Sequence, residues 1–313
     1  MDLRQLRYLI AIAETGHMGR AAERVHVTQP ALSQQMIRLS RELGAPVFER
    51  QGRSIRLTAV GTTLLRFARE VEKDLREAYF AIDALRGLER GHVSVGVVQT
   101  LNMSLLPATI AELTAAHPGI DVTVHELSGR AIEDGVAEGR LDVGIGFQPP
   151  RRRDLDTEPV LREPLTLICR RDHRLAEHQS LEIAALDDTP LALLAKGFVT
   201  RRIWDAATRQ AGIRVRAQLE ADTVSALLAT VSRSNYLATV LPLLALTEDD
   251  SHQLMQIPLE RPTLTRAIAL QWRRGSMHSH AADRLADIFR ATVRETLPAA
   301  FRVQASHGQE PQP

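Results

Sequence analysis

A long, proline-free apolar repeat constrains the fold of this chain more than any other feature. Between Thr58 and about Leu88, apolar side chains recur every three or four residues, which predicts one long helix that Gly87 and Gly91 end. Such a seam must be buried, and a second copy of the helix is its simplest partner, which predicts a two-fold dimer. Packing of the seam onto the chain's own domain is the alternative. The seam residues are Val60, Leu64, Phe67, Val71, Leu75, Ala78, Ile82 and Leu85.

Three short helices are predicted before the seam, over about residues 2–15, 19–24 and 29–43. Gly16 ends the first helix, and Thr28 can cap the third, where Pro30 fits the first turn. The third helix has one apolar face, while amide, hydroxyl and guanidinium groups suited to base edges occupy much of the other. This pattern is typical of a helix-turn-helix, and a polar face that is merely solvated is the alternative. The residues of the outer face are Gln29, Ser33, Gln34, Ile37, Arg38 and Arg41.

An arginine-bearing hairpin is predicted immediately after the third helix. Alternating side chains over residues 54–57 follow a Gln-Gly turn at residues 51–52, which is the pattern of two paired strands. Arg50, Arg53 and Arg56 lie near the tip and edge of this hairpin, where they can neutralise phosphates or enter the minor groove. The helices and the hairpin together predict a winged helix-turn-helix.

The charge of the chain supports a separate basic end. Residues 1–57 contain nine arginines and five acidic residues, a net charge of +4. Since the whole chain has 39 basic and 38 acidic residues, the remainder holds 30 and 33, a net charge of −3. A basic end on an otherwise acidic chain is typical of a protein with one nucleic-acid-binding segment.

Strands and helices alternate after Gly91, which predicts a mostly parallel α/β sheet with right-handed crossovers. The tail after Pro298 is short and polar and is expected to fray. Strands are expected near residues 93–98, 120–127, 141–147, 165–170, 191–195, 215–219, 236–240 and 268–272, and helices near residues 104–117, 131–138, 200–211, 224–231 and 279–296.

Composition and motifs exclude several classes of protein. The one cysteine, Cys169, excludes an internal disulfide and a cysteine-based zinc cluster, and its predicted apolar strand is typical of a core residue. The sequence has no nucleophile elbow, phosphate loop or His-Glu-x-x-His pattern, so we expect no enzyme activity, no cofactor and no metal. The N-terminus lacks signal-peptide features and no run is apolar enough to span a bilayer, which predicts a cytoplasmic protein without a membrane partner.

Several collinear motifs match one known family. They are LRQLRY at residues 3–8, RAAER at 20–24, VTQPALSQQ at 27–35, FER at 48–50 and RLT at 56–58. On these residues the chain resembles the LysR-type transcriptional regulators. It departs from the usual pattern at residues 17–19, where the family has Ser-Phe-Thr-like residues, at Gln34, where many members have Arg, and at Val60, where Ala is usual. The first departure bears on a phosphate contact near residue 19 and the second on base preference.

The resemblance covers nearly the whole chain and implies its organisation. Residues 1–58 would form the winged helix-turn-helix, 59–90 the linker and dimerisation helix, 91–298 the effector domain, and 299–313 a flexible tail. The effector domain would have the two-lobed, type II periplasmic-binding-protein-like fold, with two Rossmann-like α/β subdomains. The first lobe would take about residues 91–162 and 266–298, and the second about residues 163–265.

A ligand is expected between these lobes, beyond the carboxyl ends of the strands. Helix N-termini there favour anions, so we expect a small anion or carboxylate as the effector. The alternative is that the threonines only cap helices and the arginines point to water. Short motifs at residues 193–195 and 221–226 look most like the cyanate-operon type of regulator. The residues expected at the site are Gln99, Thr100, Leu101, Phe147, Gln148, Phe198, Thr200, Arg201 and Arg202.

The sequence therefore predicts a DNA-binding regulator that binds double-stranded operator DNA as a homodimer within a homotetramer, responds to a small-molecule effector and acts on RNA polymerase. The alternatives are an α/β enzyme with a helical appendage and a sequence-indifferent architectural DNA-binding protein. Gln29, Ser33 and Gln34 are expected to contact base edges, and Pro30 is expected to touch apolar base surface. Contacts with the DNA backbone are expected from Thr28, Arg50, Arg53 and Arg56. Arg38, on the outer face of the third helix, is also expected to contact DNA.

Overall fold

A computed structural model describes residues 1–51, 54–85, 90–247 and 250–302. The chain divides into two compact units, of which the first comprises residues 1–91 with 138–140 and the second the remainder from residue 92. Among the helices of the described residues, none combines the length and the apolar character that crossing a membrane requires.

The first unit contains the three predicted helices, the predicted hairpin and the long helix. The helices are α1 (Leu3–Thr15), α2 (Met18–Arg24), α3 (Gln29–Glu42) and α4 (Ala59–Leu85), and the strands are β1 (Phe48–Gln51) and β2 (Ser54–Leu57). β1 and β2 pair antiparallel, which confirms the hairpin.

Local sequence explains where the first of these helices begins and ends. The Asp2 carboxylate accepts the N–H of Gln5 at 2.9 Å, and the Gln5 side chain accepts the N–H of Asp2 at 3.0 Å, which makes a capping box. Gly16 ends α1 with φ of 62°, a left-handed conformation that glycine adopts without strain. Its N–H donates to the carbonyl of Ile12.

The junction between the hairpin and α4 depends on a close backbone approach at Gly61. The Thr58 hydroxyl accepts the N–H of Gly61 at 3.0 Å and so caps α4. The Thr58 N–H in turn donates to the carbonyl of Val47 at 3.1 Å. A Cβ atom on Gly61 would lie 2.0 Å from that same carbonyl oxygen, so any side chain here would force α4 and Val47 apart.

Substitution of Gly61 tests this junction. We expect Gly61→Ala to lower the free energy of unfolding of the first unit by about 1–3 kcal/mol, because the added methyl group forces α4 away from Val47. Chemical denaturation followed by circular dichroism measures the change. Thr62→Ala, at an exposed position on the next residue of α4, is the matched control and should leave stability unchanged. Equal stabilities of the two variants would show that the junction tolerates a side chain.

The second unit is a mixed α/β structure. Its helices are α5 (Gln99–Met103), α6 (Leu105–Ala116), α7 (Gly129–Ala137), α8 (Val199–Ala211), α9 (Val224–Val231) and α10 (His280–Thr296). Its strands are β3 (Gly91–Val97), β4 (Ile120–Glu126), β5 (Val143–Gln148), β6 (Leu155–Arg170), β7 (Leu181–Glu182), β8 (Pro190–Leu194), β9 (Arg216–Ala221), β10 (Ala238–Pro242), β11 (Leu254–Glu260) and β12 (Thr265–Arg273).

One long strand, β6, runs through both halves of this unit. The strand order is β4-β3-β5-β12-β6-β10-β8-β9, and β11 also pairs with β6. The first part of β6 pairs with β12, and the last part pairs with β10 and β11. Each half therefore has its own sheet and hydrophobic core, as expected for two lobes, and the strand β6 passes from one to the other.

The second unit differs from its prediction in several respects, and β7 and β11 are strands that the sequence pattern does not reveal. β12 is antiparallel to both β5 and β6, so the sheets are mixed rather than mostly parallel. β6 starts at Leu155, ten residues before the predicted start at Leu165. The sequence pattern does not reveal this first part, because Pro159, Pro164 and several charged residues interrupt the apolar run there. Residues 99–103, between the predicted strand at 93–98 and the predicted helix at 104–117, form helix α5, which at five residues is too short for apolar periodicity to reveal.

Candidate nucleic-acid interface and effector site

Helix α3 is held by one buried stripe and two polar contacts. Leu32, Met36 and Leu39 are fully buried against the other helices of the first unit. The Gln35 side chain accepts from Gln5 of α1 at 3.4 Å. The Ser40 hydroxyl accepts the N–H of Val47 at 3.2 Å. These contacts fix the rotation of α3 about its axis, and so they determine which residues face outward.

The outer face of α3 carries the residues predicted to read bases. Gln29, Pro30 and Gln34 are exposed, and Ser33 is half-buried between them. Thr28 caps the helix by accepting the N–H of Ala31 at 3.4 Å, which confirms the predicted cap. The structure thus places amide and hydroxyl groups on one face of a rigid helix, which is the arrangement that major-groove recognition requires.

A groove of about 690 Å³ separates this face from the hairpin. Gln29, Ser33, Ile37 and Arg41 line it from α3, and Phe48, Glu49 and Ile55 line it from the hairpin. Arg56 of β2 is exposed beside it, opposite Glu49 in the strand register. The side chains of Arg50 and Arg53 lie outside the described residues.

Arg38 on the outer face has a carboxylate partner within its own helix. Its Nε atom lies 3.4 Å from a carboxylate oxygen of Glu42, and 72% of its side chain is exposed. An exposed pair of this kind contributes little to stability, so a DNA phosphate can replace the carboxylate at small cost.

His17 takes the place of the usual helix cap in the turn before α2. Its Nδ1 atom accepts the N–H of Gly19 at 3.0 Å and that of Arg20 at 3.5 Å. A Cβ atom on Gly19 would lie 3.1 Å from the imidazole ring, so the small residue at 19 leaves room for this cap. The departure from the family pattern at residues 17–19 thus keeps a cap while removing the side chain at residue 19.

The apolar seam of α4 is largely exposed on this chain. Leu65 and Ala68 are buried in the core of the first unit, and Leu64 of the seam packs partly against that core, so α4 contacts it mainly through the face beside the seam. Phe67 is 48% exposed, and Leu64 and Leu75 are half-buried. Four further seam residues are exposed: Val60, Val71, Ala78 and Ile82. The side chain of Leu85 lies outside the described residues.

In the second unit, α5 brings three of the predicted effector residues to the start of one helix. The Gln99 side-chain oxygen accepts the N–H of Val224 at 2.7 Å, and this contact joins the first lobe to the start of α9 in the second. Thr100 is 3% exposed, and its hydroxyl accepts from Arg266. Leu101 is fully buried in the core of the first lobe, so it positions α5 from within the core.

A buried ion pair lies behind Thr100. Arg266 of β12 donates through Nε to the Glu163 carboxylate of β6 at 2.7 Å, and Glu163 is fully buried. The second Glu163 oxygen accepts the N–H of Leu244 at 3.1 Å. The Arg266 guanidinium also lies 5.5 Å from the centre of the Phe147 ring. The charges are therefore paired, and the two residues are register partners in the sheet that β6 and β12 form.

The predicted residues on α8 occupy a different environment. Arg201 is 5% exposed and donates to the Leu194 carbonyl at 2.8 Å, to Asp205 at 2.8 Å and to Glu220 at 2.9 Å. Burial acts to lower the pKa of Arg201, but hydrogen bonds to the two carboxylates raise it above the usual value. Its charge is thus satisfied within the second lobe.

The other predicted residues differ in exposure. Thr200 is buried and Arg202 is exposed, while Phe198 is half-buried against the core of the second lobe. Gln148 at the end of β5 is half-buried and pairs in register with Ala267. Among the described residues, none supplies a side-chain cap to the first turns of α5 and α8. The N–H groups of these turns therefore remain the candidates for anion binding.

Sequence reasoning did not identify Glu163, Arg266 or Val224 as parts of this site. A charge inside an apolar strand needs a partner, but Glu163 and Arg266 each lie just before a predicted strand, at residues 165–170 and 268–272, so the sequence does not show that either is buried. The partner is also 103 residues away along the chain, and the start of β6 was not predicted. The pairing of β6 with β12 is what brings the two charges together.

Two family models match the chain. A model described as a bacterial regulatory helix-turn-helix protein of the lysR family matches residues 3–62, and a LysR substrate binding domain model matches residues 86–294. Both the N-terminal helices and the α/β unit are thus accounted for by one family.

Relatives and a solved structure agree with these models over nearly the full length. The RuBisCO operon transcriptional regulator of Allochromatium vinosum is 27% identical over 282 residues, which cover 90% of this chain and 93% of that protein. A hydrogen peroxide-inducible genes activator of Dickeya chrysanthemi is 29% identical over 298 residues, which cover 95% of this chain and 96% of that protein. Full-length OxyR of Pseudomonas aeruginosa has a TM-score of 0.75 at 27% identity, covering 98% of this chain and 99% of that chain.

Proposed function

The chain belongs to the LysR family of bacterial transcriptional regulators, and we propose that it binds operator DNA as a dimer and changes transcription when a small anionic effector occupies its second unit. The outer face of α3 carries this proposal, because it exposes Gln29 and Gln34 beside Ser33 on the most basic part of the chain. The relatives are regulators rather than enzymes, so the enzyme alternative has no support from them.

The DNA contacts divide into those that read bases and those that hold the backbone. We expect Ser33→Ala to reduce the preference for operator over random DNA, because a base-edge contact is lost. We expect Arg53→Ala and Arg56→Ala each to weaken binding to both DNAs alike and to reduce the salt slope by about one unit, because one phosphate contact is lost. Fluorescence anisotropy at several salt concentrations measures both effects. An unchanged salt slope would remove the hairpin arginines from the set of DNA contacts.

The effector site is proposed around the first turns of α5 and α8. The N–H groups of these turns favour an anion, and Gln99 and Thr100 are near the start of α5 while Phe198 precedes α8. Thermal unfolding in the presence of a panel of small carboxylates and inorganic anions tests this proposal. A stabilising anion is the expected result, and stabilisation by neutral compounds alone would contradict it.

The stimulus named for the peroxide-inducible relative does not suit this chain. Cys169 is the one cysteine of the sequence, and it is fully buried in β6. Burial raises the pKa of the Cys169 thiol to about 11, so the reactive thiolate is scarce at neutral pH. The residue has the environment of a core side chain.

We therefore expect hydrogen peroxide to leave DNA binding unchanged. The native protein should also resist thiol reagents such as N-ethylmaleimide, and the unfolded protein in urea should react fully, which mass spectrometry measures. Cys169→Ala should bind the operator as the natural chain does. Rapid labelling of the native protein would show that the thiol is accessible.

The remaining features of the proposal follow from the family. The domain boundaries at residues 58, 90 and 298, the homotetramer, the contact with RNA polymerase and the cytoplasmic location are proposed on that basis. The exposed seam of α4 supports the dimer directly, because a monomer would leave Phe67, Val71 and Ile82 in water.

A further inference from the structure

Ile37 is an apolar side chain on the outer part of α3, and it is 49% exposed. With 3.6 residues per turn, it lies about 40° around the helix from Ser33 and about 60° from Gln34. It also lines the groove between α3 and the hairpin. Viewed along the helix axis, Ile37 therefore lies between Ser33 and Gln34, two of the residues proposed to read base edges.

Isoleucine at this position contributes little to the free protein. About half of it remains in water, while the buried stripe of α3 already holds the helix through Leu32, Met36 and Leu39. A β-branched residue is also a weaker helix former than the straight-chain polar residues common on exposed helix faces. Packing within the chain thus leaves the exposed half of the side chain without a role.

We propose that Ile37 reads a thymine in each operator half-site by packing against its C5-methyl group. This inference rests on the proposed function, in which α3 enters the major groove. The thymine methyl group is the one apolar feature that a base presents in that groove, so an apolar side chain among polar ones selects it. Ser33 lies one turn before Ile37 and Arg41 one turn after it, which places a hydroxyl and a guanidinium beside the neighbouring bases and phosphates.

The hairpin supports this assignment. Phe48 and Ile55 line the same groove as Ile37, so an apolar strip continues from α3 toward the hairpin. Arg41 of α3 and Glu49 of β1 also line the groove, and Arg56 is exposed on β2 opposite Glu49 in the strand register. Cations beside an apolar strip fit a thymine methyl group flanked by phosphates.

Removal of a single methyl group from the DNA tests the proposal without changing the protein. The full-length chain is first used to select an operator from random duplexes, and each thymine of one half-site is then replaced by deoxyuridine. We expect one such replacement to weaken binding about fourfold, the change that burial of one methyl group produces. Replacing that base pair by C·G should weaken binding as well, and 5-methylcytosine there should recover part of the loss.

A protein variant identifies which side chain contacts the methyl group. Ile37→Ala should bind the thymine and deoxyuridine operators equally, because the contact is already lost. Leu3→Ala removes an apolar side chain of similar exposure from α1 and should keep the fourfold difference.

The outcomes separate this inference from the proposed function. If the natural chain prefers the selected operator to a scrambled duplex but no deoxyuridine weakens binding, Ile37 does not read a thymine. The same holds if Ile37→Ala retains the fourfold difference. If the natural chain shows no preference for the selected operator, the proposed function fails and this inference fails with it.

Discussion

Replacement of Phe67 by glutamate should convert the protein to monomers and weaken operator binding by about 100-fold or more. Phe67 lies on the seam of α4 and is 48% exposed on the isolated chain, so a partner helix would bury it. A carboxylate buried among the apolar side chains of that interface would lose its hydration, which costs several kcal/mol, although the neighbouring Arg66 guanidinium lies close to this position. Two linked DNA-binding units also gain about 10²–10⁴ in affinity over one unit, and monomers lose this gain.

Sedimentation velocity measures the mass, and fluorescence anisotropy with the selected operator measures the affinity. Thr62→Glu adds the same charge at an exposed position on a different face of α4, and it should remain dimeric. A Phe67→Glu variant that stays dimeric and binds normally would place the dimer interface elsewhere.

Removal of one partner of the buried Arg266–Glu163 ion pair should strongly destabilise the second unit. We expect Arg266→Met to lower the free energy of unfolding of the second unit by about 3–5 kcal/mol, because it leaves the fully buried Glu163 carboxylate without its counter-charge. The double variant Glu163→Leu with Arg266→Met should recover much of that loss, since a well-packed apolar pair of similar volume is often tolerated.

Urea denaturation of the variants provides the measurement. Arg274→Met breaks the ion pair of Arg274 with Asp156, in which the two side chains are 62% and 56% exposed. This change should lower the free energy of unfolding by less than about 1 kcal/mol. Equal losses for Arg266→Met and Arg274→Met would mean that burial does not set the strength of these pairs.

The first unit could be predicted from sequence because local signals determine it. Thr28, Gly16 and the periodic leucines specify helix ends and faces within a few residues of themselves. The hairpin follows from one turn and an alternating pattern. The α4 helix could be predicted because apolar side chains at this spacing form one face of a helix, whether or not a partner covers that face.

The second unit could be predicted only in part because distant pairing determines it. Arg201 was expected to offer a charge to the ligand, but Glu220 and Asp205 surround it in the folded lobe. Arg266 and Glu163 could not be paired without the register of β6 and β12. Thr100 lies in the first turn of α5, a helix that the sequence does not predict, and its hydroxyl is bonded to Arg266, which the sequence does not indicate.

Discrimination between operator and scrambled DNA tests whether α3 recognises a specific base sequence. The full-length protein is titrated, near physiological salt, against the selected operator and against a duplex of the same composition in scrambled order, with fluorescence anisotropy as the measurement. Sequence-specific recognition by α3 predicts a ratio of dissociation constants of about 10³ or more, which Ser33→Ala reduces. Equal affinity for the two duplexes would contradict sequence-specific recognition by α3 and would favour a sequence-indifferent DNA-binding protein.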